Sequence, residues 1–202
     1  MNYTPEQISQ IVLKVLKEVE TPDILNLSFD EKFELVIDPN TSQETLSVLE
    51  TDKNPYVRCG VAQNQNTSQE TLRILATDEY WSVRRVVAQN QNTPQELLNI
   101  LATDKSYFVR YGVAENPNTP QETLILLATD KNPDVRYGVA ENPNTSQETL
   151  AILATDEDSD VRNSATENPN YKKQTLELNS VQYDALKKLI ESGQDEVLKG
   201  IL

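Results

Sequence analysis

Residues 119–144 read TPQETLILLATDKNPDVRYGVAENPN, and this 26-residue register recurs in tandem, with its first threonine at Thr41, Thr67, Thr93, Thr119 and Thr145. The shared pattern is Thr-(Ser/Pro)-Gln-Glu-(Thr/Leu)-Leu-x-x-Leu-(Ala/Glu)-Thr-Asp, four variable residues, Val-Arg, and a small apolar run closing in x-Asn-(Pro/Gln)-Asn. A fixed period of this length is the mark of a repeat architecture, in which no unit can bury its apolar face alone.

Within the quoted unit the local chemistry predicts two short helices. Thr119 is suited to an N-cap, Pro120 to the first helical position and Glu122 to the third, the arrangement of a capping box. Leu124, Leu127 and Ala128 then recur at helical spacing as one apolar face. Asn132-Pro133-Asp134 restarts the chain with a second cap signal, and Val135, Val139 and Ala140 form the next apolar stripe. Asn142-Pro143-Asn144 stops it, because proline biases its predecessor away from helix and Asn suits a C-terminal cap. Neither helix exceeds about three turns, a length that is marginal in isolation. The units must therefore stack. Gly60, Gly112 and Gly138 share one position inside the second helix, where Val86 and Ser164 stand in the other copies. Glycine costs about 0.5–1 kcal/mol there, so its recurrence predicts close approach between neighbouring units.

The flanks depart from the pattern as end caps should. Residues 33–40 imitate the closing half of a unit without its Arg, and Thr4-Pro5-Glu6-Gln7 opens an amphipathic segment bearing Ile8, Ile11, Val12, Val15, Leu16 and Val19. After Asn170 come a partial helix start (171–178), a helix carrying Leu186, Leu189 and Ile190, and a last short helix. The expected organisation is a cap over 1–40, five repeats over 41–170 and a cap over 171–202.

Composition narrows the function classes. A formal net charge of −14 makes nucleic acid and anionic membranes poor partners. No stretch approaches the roughly 20 apolar residues of a membrane span. The N-terminal residues lack the layout of a signal peptide, so none is expected. Cys59 is the single cysteine, which excludes an internal disulfide or multi-cysteine metal site and fits a cytoplasmic setting. The chain has no histidine, the commonest general base and metal ligand. No cofactor and no metal are expected, and a monomer is the expected state.

The run Asp-x-x-x-x-Val-Arg-x-x-Val-Ala-x-Asn-Pro-x-Thr-(Ser/Pro)-x-x-x-Leu-x-x-Leu-Ala resembles the leucine-rich repeat variant family, over about residues 33–170. It is also similar to HEAT repeats, which share the Asp and the Val-Arg pair. The resemblance implies an all-α, right-handed solenoid of stacked helices, with one helix per unit closer to 3₁₀ geometry. A described member carries an iron–sulfur cluster on an N-terminal cysteine group; this sequence has no such group, and the cluster is not expected.

Asp52, Asp78, Asp104, Asp130 and Asp156 recur, each with an Arg six residues on: Arg58, Arg84, Arg110, Arg136 and Arg162. An aspartate at a helix C-terminus opposes the helix dipole and needs a partner, which a guanidinium can supply bidentately within a unit or across to the next. Repetition in every unit argues for a structural ladder over acid–base chemistry, since an active site needs one constellation. Asn64, Asn90, Asn116, Asn142 and Asn168 likewise read as turn and cap residues bonded in a column.

Function belongs where the units differ. The variable segments hold Tyr56, Tyr80, Trp81, Tyr107 and Phe108, and the position two beyond Val holds Cys59, Arg85, Tyr111, Tyr137 and Asn163. Aromatics and Arg are enriched at binding hot spots, which makes Tyr80, Trp81, Tyr107, Tyr111 and Tyr137 the partner-binding candidates. Trp81 and Tyr107 lead, because they align with Pro55, Pro133 and Ser159; the bland alternative is that Tyr56 and Phe108 fold back onto the core. Units four and five concentrate Asp134, Glu141, Glu157, Asp158, Asp160 and Glu167, an acidic surface that is either a solvated face or a dock for a basic protein segment. The leading expectation is a non-catalytic module binding a partner protein or peptide. Its competitors are a HEAT-like lyase or accessory subunit of the phycobilin-lyase type and an acidic DNA-mimic inhibitor. The HEAT-like alkylpurine DNA glycosylases need a basic groove, which 18 Lys and Arg against 32 acids do not provide.

Overall fold

The computed structural model describes residues 24–173 and Lys188, and residues 24–171 belong to one compact unit. The expected helices of the two end caps, from Thr4 to Val19 and beyond Lys173, lie outside the described residues. A 3₁₀ turn at Ile24–Asn26 leads into α1 (Phe29–Ile37). Five helix pairs follow: α2 (Gln43–Leu49) with α3 (Pro55–Gln63), α4 (Gln69–Leu75) with α5 (Trp81–Gln89), α6 (Gln95–Leu101) with α7 (Tyr107–Glu115), α8 (Gln121–Leu127) with α9 (Pro133–Glu141), and α10 (Gln147–Leu153) with α11 (Ser159–Glu167). No strand occurs among the described residues. Both helices of each unit are α-helices, of 7 and 9 residues, so the 3₁₀ geometry implied by the family resemblance is absent from the units.

These helices form two layers. The second helices of successive units, α1, α3, α5, α7, α9 and α11, pack on one another in a row, while each first helix packs on the second helices beside it. Between the layers the first helices contribute Leu46, Leu49, Leu72, Leu75, Leu98, Leu101, Leu124, Leu127, Leu150 and Leu153. The second helices answer with valines such as Val57, Val61, Val109 and Val113 and with Ala62, Ala88, Ala114 and Ala140. Large aliphatics facing small ones let the layers interdigitate, and each fully buried Leu or Val contributes about 1.5–3 kcal/mol. The recurrent glycine serves the row of second helices. A Cβ at Gly112 would sit 3.2 Å from the Arg85 carbonyl oxygen, and one at Gly138 would sit 3.0 Å from Ala114 Cβ. The neighbouring unit comes close at each of these positions, and closest at Gly60, where an added Cβ would overlap Val36 Cγ2.

The first helix of each unit begins one residue later than the capping-box reading places it. The N-caps are Ser42, Ser68, Pro94, Pro120 and Ser146. In the three serine units the hydroxyl accepts from the backbone N–H of Thr45, Thr71 and Thr149. Each preceding threonine is buried, and its hydroxyl donates to a carbonyl six residues back, as from Thr119 to Val113 at 2.6 Å and from Thr67 to Val61 at 2.5 Å. A buried hydroxyl tied to the previous helix is unavailable as a cap, and the cap role passes to its neighbour. The second helix of the quoted unit is capped as expected, Asn132 accepting from the Asp134 N–H at 2.8 Å, and Asn54 and Asp158 cap α3 and α11 likewise, whereas Tyr80 and Ser106 cap α5 and α7 without a side-chain bond. The second helices end at Asn64, Asn90, Asn116, Asn142 and Asn168 in extended rather than left-handed backbone.

Candidate functional site

Two hydrogen-bonded columns hold the units in register and fix the frame in which the variable residues sit. The Arg of each of the first four units reaches forward into the next, while Arg162 of the fifth bonds the Asp156 and Glu157 carbonyls of its own unit. Arg58 donates bidentately to Asp78, Arg84 to Asp104, Arg110 to Asp130 and Arg136 to Asp156, with Nε–Oδ2 distances of 2.6, 2.7, 2.5 and 2.7 Å. The remaining guanidinium nitrogen donates to the carbonyl of the Asp in its own unit, as from Arg110 to Asp104 at 2.8 Å. One residue therefore ties its own unit to the next. At the N-terminal end α1 closes the ladder with Lys32, 26 residues before Arg58, whose Nζ donates to Asp52 at 2.5 Å and to the Leu25 carbonyl. The half-unit that lacks the Arg thus keeps a cation in its place. Burial alone would raise the carboxyls of Asp78, Asp104 and Asp130, but the paired guanidinium and a backbone N–H two residues on outweigh it, and all three sit below the ordinary value. Asp156 is lowered chiefly by its bond from Arg136.

The second column is made of asparagines. Asn116 Nδ2 donates to the carbonyls of Ala88 and Asn90 in the preceding unit, while its Oδ1 accepts from the Asn118 N–H. Asn90, Asn142 and Asn168 repeat the arrangement, and Asn64 makes it with Val36 of α1 and with Asp38, the C-cap of α1. A parallel set, Asn66, Asn92, Asn118, Asn144 and Asn170, also donates one unit back. With side chains saturated in this way, both columns are scaffold.

The candidate aromatics divide into two groups. Trp81, at the start of α5, stacks on Phe108 of the next unit with ring centroids 4.5 Å apart, and Tyr107 also stacks on Phe108, at 4.0 Å. Phe108 thus belongs to a three-ring cluster across units two and three, and Tyr56 is 70% exposed; neither simply folds back onto the core. Tyr80 is exposed, with the Arg58 guanidinium over its ring at 5.5 Å. Tyr107, Tyr111 and Tyr137 are half-buried and pack against the core, so part of each ring serves the fold. Burial, together with the nearby Glu115 carboxylate, pushes the Tyr111 hydroxyl up to about 12. The Arg85 guanidinium lies 6.0 Å from the Tyr111 ring. Cys59 sits in the same column, and burial pushes its thiol up, contrary to what a nucleophile requires.

Tyr137 joins the acidic group instead. It lines an open groove of about 780 Å³ with Asp134, Glu141, Asp158, Asp160 and Glu167, and its hydroxyl donates to Glu141 Oε1 at 2.6 Å. The structure therefore brings Trp81, Tyr107 and Phe108 together, and separately Tyr137 with Asp134, Asp158 and Asp160, on the same row of second helices. Among the described residues no group of three or more carboxylate or cysteine side chains is arranged to hold a metal ion, and no helix is long and apolar enough to cross a membrane.

One exposed feature has no counterpart in the sequence reading. Val48, Ile74, Ile100, Leu126 and Ile152 occupy one position of every first helix and are 40–66% exposed. The readable signal was that the second x of Leu-x-x-Leu is aliphatic in all five copies, although helical geometry places it about 200° from the first Leu, away from the core.

The model of the leucine rich repeat variant family matches residues 133–158, the second helix of unit four and the first helix of unit five. The other units carry the same register. The match thus spans one period of an array whose five units share a register, and in that period the chain is similar to the leucine rich repeat variant family. A solved structure described as "a leucine-rich repeat variant with a novel repetitive protein structural motif" is similar at 27% identity, over 68% of this chain and 70% of that one, with a TM-score of 0.35. No curated protein matches the chain. The array is an all-helical repeat scaffold, and among its variable positions Tyr56, Tyr80 and Trp81 are exposed.

Proposed function

We propose that this repeat array is a non-catalytic docking module that holds a polypeptide segment of a partner protein along its row of second helices. The observation that carries this reading is the placement of the Trp81–Phe108–Tyr107 stack and the acidic groove of Asp134, Asp158 and Asp160 on one row, at positions where the repeats differ. Rigid aromatic surface supplies contact area at low entropic cost. A carboxylate-lined groove selects a basic segment and steers its approach. The matching ligand has an apolar or proline-bearing part over Trp81 and Lys or Arg residues two units further on.

The chemistry of the side chains supports the non-catalytic part of this reading. The absence of histidine, the raised Cys59 thiol and the saturation of the ladder carboxylates leave no free acid–base pair beside an activated nucleophile among the described residues. The test is affinity capture from the source cell with wild type, Trp81→Ala/Tyr107→Ala and Asp134→Asn/Asp158→Asn/Asp160→Asn. A partner retained by wild type, reduced by both variants and released by salt is expected. A partner set unchanged by both variants refutes the reading.

A further inference from the structure

The face opposite the row of second helices carries a pattern that repeats in every unit. The five exposed aliphatics Val48, Ile74, Ile100, Leu126 and Ile152 each lie four residues after an exposed glutamate: Glu44, Glu70, Glu96, Glu122 and Glu148. Residues four apart are neighbours on a helix surface, so each first helix presents one aliphatic and one carboxylate side by side. Stacking the units turns these into two adjacent columns. The glutamates have a local explanation, since carboxylates in a first turn suit the helix dipole. The aliphatics have none: four of the five are β-branched and so poor helix formers, and scattered exposed apolar residues need no explanation while one at the same position of every unit does.

We propose that this outer face of the first helices is a second docking surface, for a basic polypeptide segment in extended conformation bearing an aliphatic side chain at every third residue. Charge decides the class of occupant. A second copy of the chain would bring one glutamate column against another, and an anionic lipid surface would meet the same repulsion. The chain's own flanking stretches are no better suited, since neither residues 1–23 nor residues 172–202 carry net positive charge. Spacing decides the conformation. Successive units stack through their second helices, and helices so packed lie about 8–10 Å apart, which sets the step from unit to unit; an extended polyproline II chain has three residues per turn at about 3.1 Å each. Equivalent side chains then recur at about 9 Å, once per unit, with one edge of the ligand meeting the aliphatic column and the adjacent edge the glutamates. This surface is independent of the Trp81 face.

The probe is a synthetic peptide of repeated Lys-Leu-Pro triplets, one triplet per unit, titrated against the full chain with Ile methyl groups observed by NMR. Binding should weaken with salt and shift the methyls of Ile74, Ile100 and Ile152. It should fall by about tenfold in Ile74→Ser/Ile100→Ser/Leu126→Ser, the loss of burial at a few aliphatic contacts. Glu70→Gln/Glu96→Gln/Glu122→Gln should also weaken it, and Trp81→Ala/Tyr107→Ala should leave it unchanged, so that failure of the other face is separable from failure of this one. Equal binding of a scrambled peptide of the same composition, no binding at all, or methyl shifts confined to the second-helix face overturns the proposal. So does a concentration-dependent dimer abolished by the serine variant, which would make a second copy the occupant.

Discussion

Replacing Arg110 by Ala tests what the ladder contributes at the middle of the array. Arg110 is 7% exposed and makes three bonds: two to Asp130, at 2.5 and 2.9 Å, and one to the Asp104 carbonyl at 2.8 Å. Removing one partner of a buried ion pair costs about 3–5 kcal/mol, because the other charge is left uncompensated. Asp130 keeps its bond from the Asn132 N–H, and the truncated side chain opens a path for water, which places the expected loss near 3 kcal/mol. With a urea m-value of about 2 kcal/mol/M, the midpoint should fall by about 1.5 M. Trp81, the only tryptophan, stands in unit two, so its fluorescence and far-UV circular dichroism report on different parts of the array. Coincident transitions in wild type that separate in Arg110→Ala would locate the weakened junction between units three and four. The double variant Arg110→Ala/Asp130→Ala should lose much less than the two single losses added together. A loss within about 1 kcal/mol for Arg110→Ala refutes the reasoning, since that is what an exposed pair contributes.

Asn116→Asp should cost about 3 kcal/mol in the same urea assay, because the two donors to Ala88 and Asn90 are lost and a carboxylate is buried against carbonyl oxygens; a neutral effect would mean that the asparagine column is incidental. Gly60→Ala should destabilise by about 1–3 kcal/mol, since the added Cβ would overlap Val36 Cγ2 and lie 2.9 Å from Val36 Cβ, a rigid buried neighbour. Gly112→Ala, with nearest neighbours at 3.2–3.4 Å, should fall near zero once the gain in helix propensity offsets the tight contact. Acid should unfold the array steeply. The carboxyls of Asp78, Asp104, Asp130 and Asp156 are lowered in the folded chain, so their contribution is complete above the unfolded value near 3.9 and is lost as pH falls through the lower folded values; thermal melts between about pH 5 and pH 2 would show it, and a flat profile would contradict it. Deleting residues 93–118 removes one whole period, so Arg84 meets Asp130 in the register of Asp104; a folded four-unit chain that has lost aromatic-dependent capture is expected, and an unfolded chain would show that the units are not interchangeable.

The period, both helices and the core were legible because each rests on residue types repeated five times. Leu124, Leu127, Val135 and Val139 lie at helical spacing, and no reading other than stacking buries them. The Asp and Arg positions were equally plain, but their pairing was not. Six residues separate Asp130 from Arg136 in sequence, yet Arg136 bonds the Asp130 carbonyl and gives its bidentate pair to Asp156. The first-helix cap was misplaced by one residue because a threonine hydroxyl can cap or be buried, and only the position of Val113 decides for Thr119. Lys32 escaped notice because α1 shares so little else with the later units. The division of the aromatics into a stack and a groove was beyond the sequence, since Phe108 bridges Trp81 and Tyr107 only when neighbouring units lie side by side.

The ladders also explain why recognition can vary here without loss of the fold. Each unit is held to the next by bonds running in both directions: Arg side chains reach forward and Asn side chains reach back. Those bonds use residues whose polar atoms are saturated, so mutation there acts on stability. Positions such as 81, 107, 134 and 160 take no part in either column and accept Trp, Tyr, Phe, Asp, Pro or Ser across the copies. The outer column at 48, 74, 100, 126 and 152 differs in kind. It is equally free of scaffold bonds by its side chains, yet it stays aliphatic in every unit. Variation on the second-helix row suits a partner read unit by unit, whereas uniformity on the outer face suits a ligand with the period of the array itself.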